Sequence, residues 1–95
     1  MNEANLSRYI YDKATKMGCL VVKVDASHRG WPDRLILKNG KCMFIEVKHP
    51  NGKGRLNKIQ EYMISKIKSK GISVYVVDNK KYADDLIKEF TEDKK

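Results

Sequence analysis

The sequence predicts an α/β domain, a mixed sheet flanked by helices in the order α-β-β-β-α-β-α. Three observations carry that reading: two helix-period apolar faces that each stop at a glycine, an Asn-Gly dipeptide between two strand-like runs, and a closing strand, helix, strand segment. Leu6, Tyr9, Ile10, Ala14 and Met17 recur at helical spacing, and Gly18 follows where a left-handed cap belongs, which places helix 1 at Glu3 to Met17. The β-branched run CLVVKV, Cys19 to Val24, is a first strand that ends in the turn-rich loop DASHRGWPD. RLILK and KCMFIEVK then flank Asn39-Gly40, the dipeptide best suited to the positive φ angles of a type I′ hairpin. After the basic loop HPNGKG, a second amphipathic helix is marked by Leu56, Ile59, Met63, Ile64 and Ile67 and closed by Gly71. ISVYVV is a fourth strand. Tyr82, Leu86, Ile87 and Phe90 mark a short third helix before the polar tail TEDKK. A right-handed crossover makes the last two strands parallel.

Ninety-five residues hold one core, so residues 1–95 are expected to form a single domain. With 41% hydrophobic and 34% charged residues, two prolines and six glycines, the composition excludes a disordered or repeat-fibrous chain. Twenty Lys and Arg against twelve Asp and Glu leave a net charge of +8, which favours a polyanionic partner, nucleic acid first and an anionic membrane second. Membrane binding is disfavoured: no run reaches the ~18 apolar residues of a span, and no basic amphipathic helix carries aromatic anchors. The first residues resemble no signal peptide, and two cysteines make no disulfide framework, so a reduced, soluble, cytoplasmic protein is expected. No phosphate-binding G-x-x-x-x-G-K-[ST] loop occurs, so no nucleotide cofactor is expected. His28, His49, Cys19 and Cys42 do not have zinc-ligand spacing.

The hairpin register makes a chemical prediction. With Asn39 and Gly40 as the loop, Lys38 faces Lys41, Leu37 faces Cys42, Leu35 faces Phe44 and Asp33 faces Glu46. Asp33 and Glu46 form a non-hydrogen-bonded pair, with Cβ atoms about 4.5 to 5.5 Å apart, and their like charges repel unless a cation lies between them. Glu46 and Lys48 share a strand face, while Met43, Ile45 and Val47 point to the other. Three explanations are open: a solvated hairpin end neutralised by Lys48, two carboxylates and a main-chain carbonyl for Mg²⁺ or Mn²⁺, or a general acid/base pair.

Gly30-Trp31-Pro32-Asp33, Ile45-Glu46-Val47-Lys48, Gly54-Arg55-Leu56 and Gln60 together resemble the virus-type replication-repair nucleases, the VRR-NUC branch of the PD-(D/E)XK superfamily. The resemblance runs from helix 1, where Glu3 sits as the family's helix acid does, through Lys23 on the first strand to ISVYVV. Trp31 stands where the family usually has a smaller aliphatic residue, and Asn57 where Ser is common. The resemblance implies a restriction-endonuclease-like α-β-β-β-α-β core that hydrolyses DNA phosphodiesters with Mg²⁺ or Mn²⁺. It implies that Asp33, Glu46 and the Val47 carbonyl hold the metal, that Lys48 orients or helps deprotonate the attacking water, that Gln60 lies beside the site, and that Glu3 contributes from helix 1. Stand-alone members look like Holliday-junction resolvases acting as homodimers, which implies a branched-DNA endonuclease, phage-encoded in a bacterial host.

Without the resemblance, Glu3 is a helix-start acid complementing the macrodipole and Gln60 an exposed helix position. Arg29 before the acids, and His49, Lys53, Arg55 and Lys58 after them, are placed for phosphate contact, with Lys23 as a further nucleic-acid-binding residue. Trp31 either stacks on an unpaired base or packs over the sheet edge or a dimer contact. The rival readings are a non-catalytic basic DNA-binding module that kept the fold and a flap or nicking nuclease of the same fold.

Overall fold

The computed structural model describes residues 1–92; the end of the predicted polar tail, residues 93–95, lies outside the described residues. The chain forms α1 (Glu3–Lys16), β1 (Leu20–Lys23), β2 (Arg34–Lys38), β3 (Lys41–Val47), α2 (Lys58–Ser69), β4 (Ser73–Val77) and α3 (Lys80–Thr91). The predicted order is therefore observed, with β2 matching its run RLILK and the other three strands shorter than theirs by one residue at one or both ends. Thr91, read as tail, is the last residue of α3, and Met17, read as helix, is the C-cap of α1.

The four strands lie in sequence order in one sheet. β1, β2 and β3 pair antiparallel, and β3 pairs parallel with β4, as the intervening helix requires. Asn39 and Gly40 take φ of 49° and 77°, the positive angles a two-residue type I′ turn needs. The β2–β3 register follows the turn: Lys38 opposite Lys41, Leu37 opposite Cys42, Leu35 opposite Phe44.

Alternation along β3 decides which layer each side chain joins. Met43, Ile45 and Val47 are buried with Ile36, Val77, α1 residues Leu6, Ile10 and Ala14 and α3 residues Ala83 and Ile87. Phe44 points the other way, into a smaller cluster with Val74 and α2 residues Ile64 and Ile67. Helices α1 and α3 thus cover one face, clasped by the Tyr9 hydroxyl donating to Asp84 over 2.6 Å and by Lys13 at 3.3 Å from the same oxygen. Helix α2 covers the other.

Several residues of the predicted apolar runs are exposed. Leu20, on edge strand β1, is 63% exposed, because α2 packs near β4 at the opposite side of the sheet. Ile59 is 44% exposed, and Met17 and Tyr82 are exposed as well, each at the margin of its helix's apolar stripe.

Candidate active site

Strand β3 and the first turn of α2 build the centre. Glu46 is the one charged residue buried among the described residues, 3% exposed, on the face opposite Ile45 and Val47. Its carboxylate is held from two sides. Gln60 Nε2 donates to Oε2 over 3.1 Å, and Lys48 Nζ, two residues along the same strand, lies 3.3 Å from the same oxygen. Lys48 Nζ also donates to Gln60 Oε1 over 3.2 Å, closing a triangle of carboxylate, ammonium and amide.

Gln60 is there because α2 starts there. Asn57 is the N-cap and accepts from the Gln60 N–H, while Gln60 Oε1 accepts from the Asn57 N–H over 3.0 Å, a reciprocal capping box. The helix cap and the contact with Glu46 use the same amide. Asn57 caps as the expected Ser would.

Asp33 departs from the simple facing pair. The strand ladder ends at Arg34 and Ile45, and Asp33 turns Oδ2 to the Val47 N–H, 2.8 Å away, rather than standing free opposite Glu46. Its charge is still felt. Burial first, and the Asp33 carboxylate second, push the Glu46 carboxyl up to about 7 against the opposing pull of Lys48, with Glu3 adding a smaller upward push. One oxygen of each acid is therefore engaged by the protein, and Asp33 Oδ1 and Glu46 Oε1 carry no hydrogen bond among the described residues. Among those residues no three His, Cys, Asp or Glu side chains form a group able to hold a metal. An ion here would have two hard carboxylate oxygens and a main-chain carbonyl, a set suited to Mg²⁺ or Mn²⁺ that leaves positions for water and phosphate.

Beside this centre lies an open cleft of about 650 Å³ lined by Glu3, Lys23, Arg29, Asp33 and Val47. Glu3, exposed in the first turn of α1, thus faces the same space as Asp33. Glu46, Lys48 and Gln60 do not line it. Lys53, Arg55 and Lys58 do not line it either. Lys53 and Lys58 are exposed, and Arg55 turns Nη1 to the carbonyls of Gly52 and Gly54 within its own loop. A second cleft, of about 690 Å³, lies at the hairpin-turn end beside α3 and contains none of these residues.

Arg34 was not among the sequence candidates, yet it lines the first cleft. Its Nε donates to Ser7 Oγ over 3.3 Å, and its guanidinium lies 5.7 Å from the Tyr11 ring centre. The alternation that puts Ile36 in the core puts Arg34 on the same face, and a cation there was the available signal. Lys23 is its direct partner across β1 and β2.

No family model matches the chain. Over 81 residues it is 31% identical to a candidate nuclease, p44, of Acyrthosiphon pisum secondary endosymbiont phage 1, covering 83% of this chain and 85% of that protein. A solved VRR-NUC domain superposes with a TM-score of 0.81 at 28% identity, covering 93% of this chain and 96% of the other.

Proposed function

The chain belongs to the VRR-NUC nucleases, and from that premise we propose that it is a divalent-metal-dependent endonuclease that cuts branched DNA, resolving four-way junctions as a homodimer. The observation that best supports catalysis is the unbalanced acid pair. Glu46 is buried near Asp33 and Glu3, where its ionised form is disfavoured even beside Lys48, and a further cation between the acids would relieve that. A non-catalytic DNA-binding module has no use for such acids, which repel phosphate.

In this reading Asp33, Glu46 and the Val47 carbonyl hold Mg²⁺ or Mn²⁺. The ion supplies a lowered pKa for bound water and a positive charge for a phosphate oxygen. Lys48 orients the attacking water, shares its proton and neutralises charge as the phosphorus centre becomes crowded. Gln60 holds Lys48 and Glu46 in register, and Glu3 acts from across the cleft. Lys23, Arg29 and Arg34 present cations to the phosphates of a strand in the cleft, with Lys53, Arg55 and Lys58 offering a second contact beyond it.

No helix among the described residues is long and apolar enough to cross a membrane. A phage-encoded enzyme of this kind would work on DNA in its host's cytoplasm. One site per chain cuts two strands of a junction only if two chains act together, which a two-fold dimer provides. The test is cleavage of four-way junction, flap and duplex DNA with Mg²⁺, Mn²⁺ or EDTA, alongside light scattering. Metal-dependent, paired cuts in junctions by a dimer are expected. Binding without cleavage in either metal would overturn the enzyme reading, and preferred cutting of flaps by a monomer would replace junction resolution with flap nicking.

A further inference from the structure

The loop between β1 and β2 is tied down at each step. The Val24 N–H donates to the Asp33 carbonyl over 2.9 Å at its base, the Ser27 N–H to Asp25 Oδ1 over 2.7 Å, the His28 N–H to the Asp25 carbonyl over 3.0 Å and the Trp31 N–H to the His28 carbonyl over 3.2 Å. Gly30, at φ 80°, lies so close to α2 that a Cβ there would come within 2.6 Å of Ile59 Cγ2 and 2.8 Å of the Ile59 carbonyl oxygen. Pro32 is fully buried. A loop built this firmly nonetheless presents its largest apolar side chain to solvent: Trp31 is 37% exposed.

The indole is supported without being covered. Its ring centre lies 5.7 Å from that of Phe44 and 5.9 Å from that of His28, at interplanar angles of 67° and 58°, so neither neighbour stacks flat upon it. Trp31 and His28 line the same cleft as Arg29 and Asp33, and Trp31 lies two residues before Asp33 in the chain. A partly exposed indole on a cleft that it shares with Arg29 and Asp33 is an arrangement on which an unpaired base can stack.

We infer that Trp31, backed by His28, is the stacking platform for an unpaired base next to the scissile phosphate, and thereby the residue through which this protein favours opened or branched DNA over uniform duplex. The inference rests on the DNA-nuclease reading and deepens it, since a base inside an intact duplex has no face to offer.

Trp31 is the only tryptophan in the chain, so its fluorescence reports the contact directly. The wild-type protein is titrated in EDTA with a single-stranded dT oligomer, a four-way junction and a duplex, with binding followed separately by anisotropy of a dye on the DNA. Quenching by the oligomer and the junction, beyond that by duplex at equal saturation, is expected. Trp31→Ala should weaken binding of the oligomer about 5- to 150-fold and leave duplex binding, which rests on phosphates, unchanged. Trp31→Phe should recover most of the loss, and Tyr62→Ala, which removes an exposed aromatic outside the cleft, should cause none. Binding by anisotropy with no difference in quenching overturns this inference and leaves the nuclease reading standing; absence of binding to any DNA overturns both. Should Trp31→Ala not fold, the wild-type quenching decides.

Discussion

Gln60 Nε2 donates to Glu46 Oε2 over 3.1 Å, so the first turn of α2 and the buried acid of β3 form one hydrogen-bonded unit. The amide has only one workable orientation. Its oxygen takes the Asn57 N–H and the Lys48 ammonium, both donors, and only its NH₂ end can meet a carboxylate.

Gln60 substitutions should therefore separate capping from chemistry. Gln60→Ala removes half of the capping box and should cost about 1 kcal/mol of stability along with most activity. Gln60→Glu keeps an acceptor for the Asn57 N–H but sets a second carboxylate against Glu46, so its deficit should be larger at pH 7.5 than at pH 5. Urea midpoints at the two pH values check this, and equal deficits would mean that the two side chains are not in contact in solution.

Glu46 should give the metal-free protein an unusual pH dependence. Its folded carboxyl keeps its proton to about pH 7, whereas the unfolded one loses it near the ordinary value of 4.5. Between those values the folded state binds more protons, so stability is fully present below 4.5 and falls as pH rises through 7, by at most about 1.4 kcal/mol per pH unit. Glu46→Gln should remove the slope, and Asp33→Asn, which deletes one upward push, should reduce it. Both should abolish cleavage yet leave DNA binding intact. In EDTA at pH 7.5 both should melt higher than wild type, and Mg²⁺ or Mn²⁺ should raise the wild-type Tm but not that of Glu46→Gln. Differential scanning calorimetry across pH 4.5 to 8 measures the stability effects, and cleavage and binding assays in Mg²⁺ the others.

What the residues disclosed before folding was whatever local chemistry decides. Asn39-Gly40 determined the turn, the turn determined the register, and a period of two then placed Glu46 with Lys48 and away from Ile45 and Val47. Long-range competition was not legible. Asp33 meets the Val47 N–H because the ladder stops at Arg34 and leaves that donor without a strand partner, a termination no pairing rule predicts. The resemblance alone placed Gln60 beside the site; its own pattern reads as an exposed helix position, although Asn57 three residues earlier spells the capping box. The exposure of Leu20 and Ile59 depended on where α2 lands across the sheet, which periodicity does not encode.

Lys48 should matter through its charge. Its ammonium lies 3.3 Å from Glu46 and supplies both influences, charge and hydrogen bond, that hold the Glu46 carboxyl down. Lys48→Met keeps the stem and removes both, so cleavage should fall by orders of magnitude while the falling limb of the metal-free stability profile extends to higher pH. A Met variant with near-native turnover and an unmoved profile would make Lys48 a packing residue only.

Lys53 and Arg55 should respond differently to neutralisation, although both belong to the same basic loop. Lys53 is exposed, and its ammonium has no ion-pair partner among the described residues, so Lys53→Ala should lower the slope of log K against log salt by about 1 for any DNA it touches and leave the Tm alone. Arg55 also braces the loop, donating through Nη1 to the Gly52 carbonyl over 3.1 Å and the Gly54 carbonyl over 3.0 Å. Arg55→Ala therefore removes a charge and two hydrogen bonds together, and its loss of affinity should exceed that of Lys53→Ala at every salt concentration while its change in slope does not. The excess that persists at high salt, where phosphate contacts are weakest, measures the bracing. Equal losses at all salt concentrations would show instead that Arg55 acts only as a second phosphate contact and that the loop keeps its shape without it.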